Sequence, residues 1–144
     1  MIHGADTGFL VAAELQEHAR HAEARATIVR LVQSGDRMAL TPQVIAEFLH
    51  NFTDGRRFSE PLSMSRALEV AEKWWSAREV VHVFSDSNTV RDFLGVLRQH
   101  RLGRKRLLDT LLAATLRRVG INSILTTDAH DFVILGLQIV EPTV

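Results

Sequence analysis

Apolar and polar positions along this chain follow two rhythms. Short apolar or β-branched runs bounded by turn residues stand at 2–5, 37–40, 80–84, 124–127 and 137–140, and they predict five short strands, the first the weakest. Between them, apolar residues recur at spacings of three and four over 18–32, 42–52, 65–77, 89–100 and 107–119, which predicts five helices. The third of these is the most regular, with Met64, Ala67, Leu68, Ala71, Trp74 and Trp75 on one stripe. Thr41 before Pro42 reads as a cap with proline in the first turn, and Gly35 and Gly120 stand where helix-ending glycines belong. Strands alternating with helices argue for an α/β fold whose parallel sheet is covered on both faces.

Length and composition narrow this further. At 144 residues the chain fits a single domain, 1–144, with no repeat or linker to divide it. Hydrophobic residues make up 46% and charged residues 24%, enough for one core and unlike a disordered chain. No apolar run approaches the roughly 18 residues of a membrane span, and the first residues lack the basic start and apolar stretch of a signal peptide, so a cytoplasmic protein without membrane partners is expected. The absence of cysteine excludes disulfides, thiolate zinc sites and a cysteine nucleophile, leaving carboxylates or the 7 histidines to hold any metal.

Seventeen basic residues balance seventeen acidic ones, but unevenly. Between positions 91 and 118, eight Lys and Arg stand against only Asp92 and Asp109. The stretch is either a solvated face whose arginine stems cover apolar surface or a surface that meets phosphates.

Ligands of parallel α/β sheets bind beyond the carboxyl ends of the strands. Asp6 and Thr7 follow the first predicted strand, and Thr126, Thr127 and Asp128 end the fourth, with Asp131 three residues on. Two further acids stand inside apolar helical segments: Glu47 in QVIAEFLHNF and Asp109 in RLLDTLLAATL. Each has an ordinary reading: Asp6 as a helix cap, Glu47 in a solvated stripe with Gln43, His50 and Asn51, Asp109 paired with Arg106, and Asp128 or Asp131 as a loop cap. Together they form a set of like charges that cannot stay fully ionised in one pocket without a cation. All-oxygen ligation selects a hard ion such as Mg²⁺ or Mn²⁺. Such ions suit phosphodiester hydrolysis, so cleavage of RNA or DNA is the inference, with the cationic stretch beside Asp109 drawing in the polyanion.

Four pieces in this order carry a family resemblance: Asp6-Thr7 after a short initial strand, QVIAEF around Glu47, LLDTLLAATLRRVG around Asp109, and ILTTDAHDF with Asp128 and Asp131. The chain resembles the PIN domains, and among them the VapC-type toxins of bacterial toxin-antitoxin pairs. The resemblance implies a three-layer α/β/α sandwich with a central parallel five-stranded sheet and a Mg²⁺- or Mn²⁺-dependent endoribonuclease. By this resemblance Asp6 and Asp109 are the principal metal ligands. Glu47 matches the glutamate that binds the metal or its water, and the fourth acid is Asp128 or Asp131. Thr7 and Thr126 are candidates to orient a carboxylate or water, and Arg104, Lys105 and Arg106 to meet the RNA. A homodimer and a cognate antitoxin are the implied partners. Where relatives carry asparagine or serine after the first Asp-Thr, this chain has Gly8.

Other readings fit less well. A receiver domain with Asp86 as phosphoacceptor wants an acidic pair after the first strand and a lysine after the last, and neither is present. An aspartate-nucleophile phosphatase wants a second aspartate where Gly8 stands. A PIN-like module that binds RNA or protein without cutting is the remaining alternative.

Overall fold

The computed structural model describes residues 1–60 and 62–144. Among them, five parallel strands form one sheet in the order β3-β2-β1-β4-β5. They are β1 (Ile2–Ala5), β2 (Arg37–Leu40), β3 (Val80–His82), β4 (Ser123–Leu125) and β5 (Gln138–Val140). The helices are α1 (Thr7–Glu14), α2 (His21–Gln33), α3 (Pro42–Phe52), α4 (Met64–Ser76), α5 (Ser87–Gln99), α6 (Leu107–Arg118) and the single turn α7 (Ala129–Phe132). Helices α1 to α4 pack on one another, as do α5, α6 and α7, so the two sets flank the sheet as separate layers.

The chain runs outward from β1 through β2 to β3, then returns to the other side of β1 for β4 and β5. This reversal makes the carboxyl ends of β1 and β4 a topological switch point, where neighbouring connections leave to opposite faces and open a crevice. The loops after β1 and β4 carry Asp6 and the 126–131 segment, so the topology brings the two predicted strand-end acid groups side by side.

Several boundaries move from their expected places. The third predicted strand, 80–84, ends at His82, although the Val83 amide still bonds to the Leu40 carbonyl at 2.9 Å; Phe84 beyond it is exposed. The fourth starts one residue early, at Ser123, and closes at Leu125, so Thr126 and Thr127 belong to the site loop. The helix expected from 18 begins at His21, because the Arg20 amide bonds to His18 Nδ1 and makes a turn instead. Helix α5 begins at Ser87, two residues before the periodic stretch. Asp86 caps it by accepting from the Thr89 amide at 2.8 Å, while Thr89 Oγ1 accepts from the Asp86 amide. Asp86 is thus a cap, its carboxyl held below the ordinary range by the Thr89 amide and by the Thr89 hydroxyl, which also donates to it at 3.1 Å.

Helix α1 has no counterpart in the sequence reading. Its residues Phe9 to Ala13 are all buried, so it shows no polar face and no period of 3.6 to detect. On the predicted stripe of α4, Ala67, Ala71 and Trp74 enter the core whereas Met64 and Leu68 stay exposed. Trp74 donates to Glu14 at 2.8 Å and serves as packing between helices. Among the described residues no helix is long and apolar enough to cross a membrane.

Candidate active site

Asp6 is the most buried of the acids. It caps α1, one oxygen accepting from the Phe9 amide at 2.8 Å, and its other oxygen accepts from the Thr126 hydroxyl at 2.5 Å. The cap reading of Asp6 therefore holds for one oxygen only. Burial pushes its carboxyl up to about 7; the Thr126 and Phe9 bonds pull down, while Asp109 and Asp128 push further up. Thr126, fully buried, also accepts from the Asp128 amide at 2.9 Å, and so ties the β1 end to the loop after β4. Thr7 does not share this role: its hydroxyl faces the Val44 carbonyl at 3.5 Å, away from the carboxylates.

Asp109 projects from the first turn of α6. Its carboxyl rises to about 6, chiefly by burial, then through Asp131 and Glu47, with Arg106 opposing and Asp128 adding a smaller push. Glu47, on α3, is raised by burial and lowered by a hydrogen bond from Gln43 Nε2 at 3.1 Å. The same Gln43 amide donates to the Leu108 carbonyl at 2.9 Å, which locks α3 to the start of α6 beside Asp109. Sequence reading gives Gln43 no role at the site. Its signal is the spacing of four to Glu47 and again to Asn51, which by itself reads as a solvated stripe.

Asp128, exposed, is raised first by sharing a hydrogen bond with Asp131, then by burial and by the Asp131 charge. Asp109 feels the charges of Glu47, Asp128 and Asp131, and Asp6 feels those of Asp109 and Asp128, so the other four predicted acids lie within electrostatic reach of Asp109. Among the described residues, however, no three are drawn together tightly enough to form a ready ligand set.

The cationic stretch divides in two. Arg104 and Lys105 stand exposed on a 3-10 turn just before α6. Arg106 is half-buried: its guanidinium donates to the Asp131 carbonyl, and its Nε lacks a partner among the described residues. It makes no close ion pair with Asp109 among the described residues, although its charge still lowers the Asp109 carboxyl, and its direct contact supports the backbone of the 126–131 loop. Arg91, Arg117 and Arg118 lie elsewhere, around a cavity of about 680 Å³ between α5 and α6. His130, between Asp128 and Asp131, is exposed.

Fold, sheet order and the acids at the switch point define a class, and comparison with known proteins agrees: the chain belongs to the PIN domain family, matched over residues 5–134. Solved structures of similar fold include the toxin VapC20 of Mycobacterium tuberculosis, which cleaves the sarcin-ricin loop (22% identity, 86% of this chain and 87% of that chain, TM-score 0.65). They also include VapBC2 of Rickettsia felis bound to a promoter DNA fragment (14%, 98% of each chain, TM-score 0.72) and VapBC-1 of nontypeable Haemophilus influenzae (14%, 98% of each chain, TM-score 0.67). No curated protein matches the chain by sequence.

Proposed function

We propose that this protein is a metal-dependent endoribonuclease that hydrolyses RNA phosphodiester bonds, and that it is the toxin of a type II toxin-antitoxin pair. One observation carries the reading. Five carboxylates from four separate segments lie within electrostatic reach of one another through Asp109, two of them with carboxyls raised to about 7 and about 6 chiefly by burial and further by neighbouring acids. A fold under no functional demand does not collect like charges in a half-buried crevice, because each raises the cost of the others.

The donor set fits a hard divalent cation. All the candidate ligands are carboxylate oxygens, and Mg²⁺ is commonly held through only one or two carboxylates with waters completing its shell, so a closed cage of three is not required. Asp6 and Asp109 would hold Mg²⁺ or Mn²⁺, with Glu47 and either Asp128 or Asp131 holding its waters. Bound there, the ion would neutralise the phosphodiester oxygens, orient in-line attack and lower the pKa of the attacking water. The chain's own residues do the rest. Thr126 fixes the rotamer of Asp6, Gln43 fixes Glu47, and Arg104 and Lys105 draw the RNA backbone toward acids that would otherwise repel it.

The solved neighbours support the partner assignment, since several are toxin-antitoxin complexes. A cognate antitoxin would reach the acidic crevice, and a second copy would cover apolar surface such as Met64 and Leu68 of α4.

Purified antitoxin-free protein should be incubated with a mixed small-RNA pool in Mg²⁺, in Mn²⁺ and in EDTA, with Asp109→Asn alongside. Discrete products that vanish in EDTA and in the variant are expected. Folded protein that binds RNA and cuts none would replace the nuclease reading with the binding module.

A further inference from the structure

Beside the acids lies a second cavity of about 350 Å³, walled by Gly8, Val11, His18, Asn51, Arg57 and Phe58. Its size falls in the roughly 300–1,000 Å³ range of small-molecule sites. Two features make it continuous with the acid cluster. Gly8 borders both: it lines the cavity, and a Cβ on it would stand 3.2 Å from Thr127 Oγ1 and 3.7 Å from Asp6 Oδ1. Helix α3 joins them as well, since Gln43, Glu47 and Asn51 follow at spacings of four and share one helix face. That face begins at the Leu108 carbonyl beside Asp109 and ends in the cavity.

The polar groups of the cavity are mostly donors. The Arg20 amide donates to His18 Nδ1 at 3.0 Å, so a neutral imidazole there must carry its proton on Nε2 and offer an N–H. Burial, and the neighbouring charges of Arg20 and His21, keep that ring below its ordinary pKa and therefore neutral. Arg57 adds a mostly exposed guanidinium, held only loosely by Asp54 at 3.7 Å. Among the described residues the Asn51 amide has no partner, and it can donate or accept. Phe58 supplies a flat apolar face, its ring tilted against Phe52 at 6.2 Å, and Val11 completes the apolar wall. A hydrogen bond of 2.6 Å from Ser59 to Glu17 fastens the turn bearing Arg57 and Phe58 to the turn bearing His18.

We propose that this cavity is a nucleotide subsite, which takes the base of the RNA residue next to the phosphodiester addressed by the acids and reads acceptors on its edge. This rests on the endoribonuclease reading above. A nucleobase supplies what the wall asks for: a π-face for Phe58 and, in guanine, the adjacent acceptors O6 and N7 for donors of His18, Asn51 and Arg57. Gly8 acquires a purpose here, because a side chain at that position would narrow the passage between base and scissile phosphate.

The test uses the full chain in EDTA, with adenosine, guanosine, cytidine and uridine monophosphates and short oligoribonucleotides as probes. The His18 imidazole and Asn51 amide resonances are followed by NMR. Guanine-bearing probes should move both signals saturably. Asn51→Ala and, separately, His18→Phe should each weaken that binding by about fivefold, the size of one neutral hydrogen bond. In sequenced cleavage products, the same variants should lose the base preference at one position flanking the cut. Wild-type signals that do not move with any probe, or a preference unchanged in both variants, would overturn the subsite. If the probes bind at His18 and Asn51 while no RNA is cut in Mg²⁺ or Mn²⁺, the subsite stands and the nuclease reading fails. If RNA is cut with no flanking preference and the probes leave both signals in place, the reverse holds.

Discussion

Replacing Asp6 by asparagine should make the metal-free protein more stable at neutral pH, and the gain can be worked from its surroundings. The folded chain holds a proton on Asp6 up to about pH 7, against an ordinary 3.8. Below the lower value both folded and unfolded chains are protonated, and the contribution of this group to stability is at its highest. Between the two values the unfolded chain has ionised while the folded one has not, so stability falls as pH rises, and it levels off above the folded pKa. A difference of about three units, at 1.36 kcal/mol each, sets an upper limit of about 4 kcal/mol on the loss. Asparagine keeps an oxygen for the Phe9 amide and removes the titration. Urea unfolding followed by the fluorescence of Trp74 and Trp75, in EDTA from about pH 4 to about pH 8, should give a falling curve for wild type and a much flatter one for Asp6→Asn. The two should cross, with the variant the more stable above neutrality. Excess Mg²⁺ should then restore stability to the wild type alone, since a cation bound only by the folded state stabilises it by mass action. Parallel curves for the two proteins would refute the assignment of Asp6 as the group that couples folding to pH.

Thr126→Val strips Asp6 of a donor and leaves the Asp128 amide without its acceptor, so unfolding at mildly alkaline pH should lose about 1–3 kcal/mol and the Asp6 titration, read by carbon NMR, should move upward. Gly4→Ala places a Cβ 2.3 Å from Leu116 Cδ1 in a fully buried contact between β1 and α6, and urea midpoints should show a cost of about 1–3 kcal/mol. Neutralising Arg104 and Lys105 together should weaken RNA binding and reduce its salt slope by about 0.7 for each phosphate that the protein no longer neutralises, which a salt titration of affinity would measure.

The parts of this fold that can be read in advance are those where one face of an element meets solvent. Helix α3 is legible to the residue, because Val44, Phe48 and Phe52 are buried on one side while Gln43, Glu47, His50 and Asn51 form a polar stripe, and Thr41 caps it with Pro42 at its start. Helix α1 is illegible for the opposite reason: it is buried all round, and burial erases the period that reveals a helix. The five acids stand out because strand ends and apolar helices make carboxylates conspicuous. The residues that hold them in place are harder to find. Thr7 and Thr126 look equivalent in sequence, and only the fold turns one hydroxyl to Asp6 and the other to the Val44 carbonyl. The basic stretch between 91 and 118 reads as one surface, yet the turn before α6 and the packing of α5 on α6 split it.

Asp6 also shows why the ordinary and the functional readings of a residue need not compete. A helix cap is normally an exposed, ionised carboxylate, stabilised by the amides it meets. Here the helix it caps is itself buried, so the cap is carried inward with it and its charge loses hydration. The cap bond from Phe9 and the hydroxyl of Thr126 lower the carboxyl, but they leave it well above its ordinary range, and Asp109 adds repulsion from across the crevice. The metal-free protein therefore holds at this point an uncompensated charge that a proton or a divalent cation can relieve. On this account affinity for the cation and the stability of the β1–α1 junction are linked, so above about pH 7, where Asp6 is ionised, substitutions that deepen its burial should tighten metal binding while they destabilise the metal-free chain.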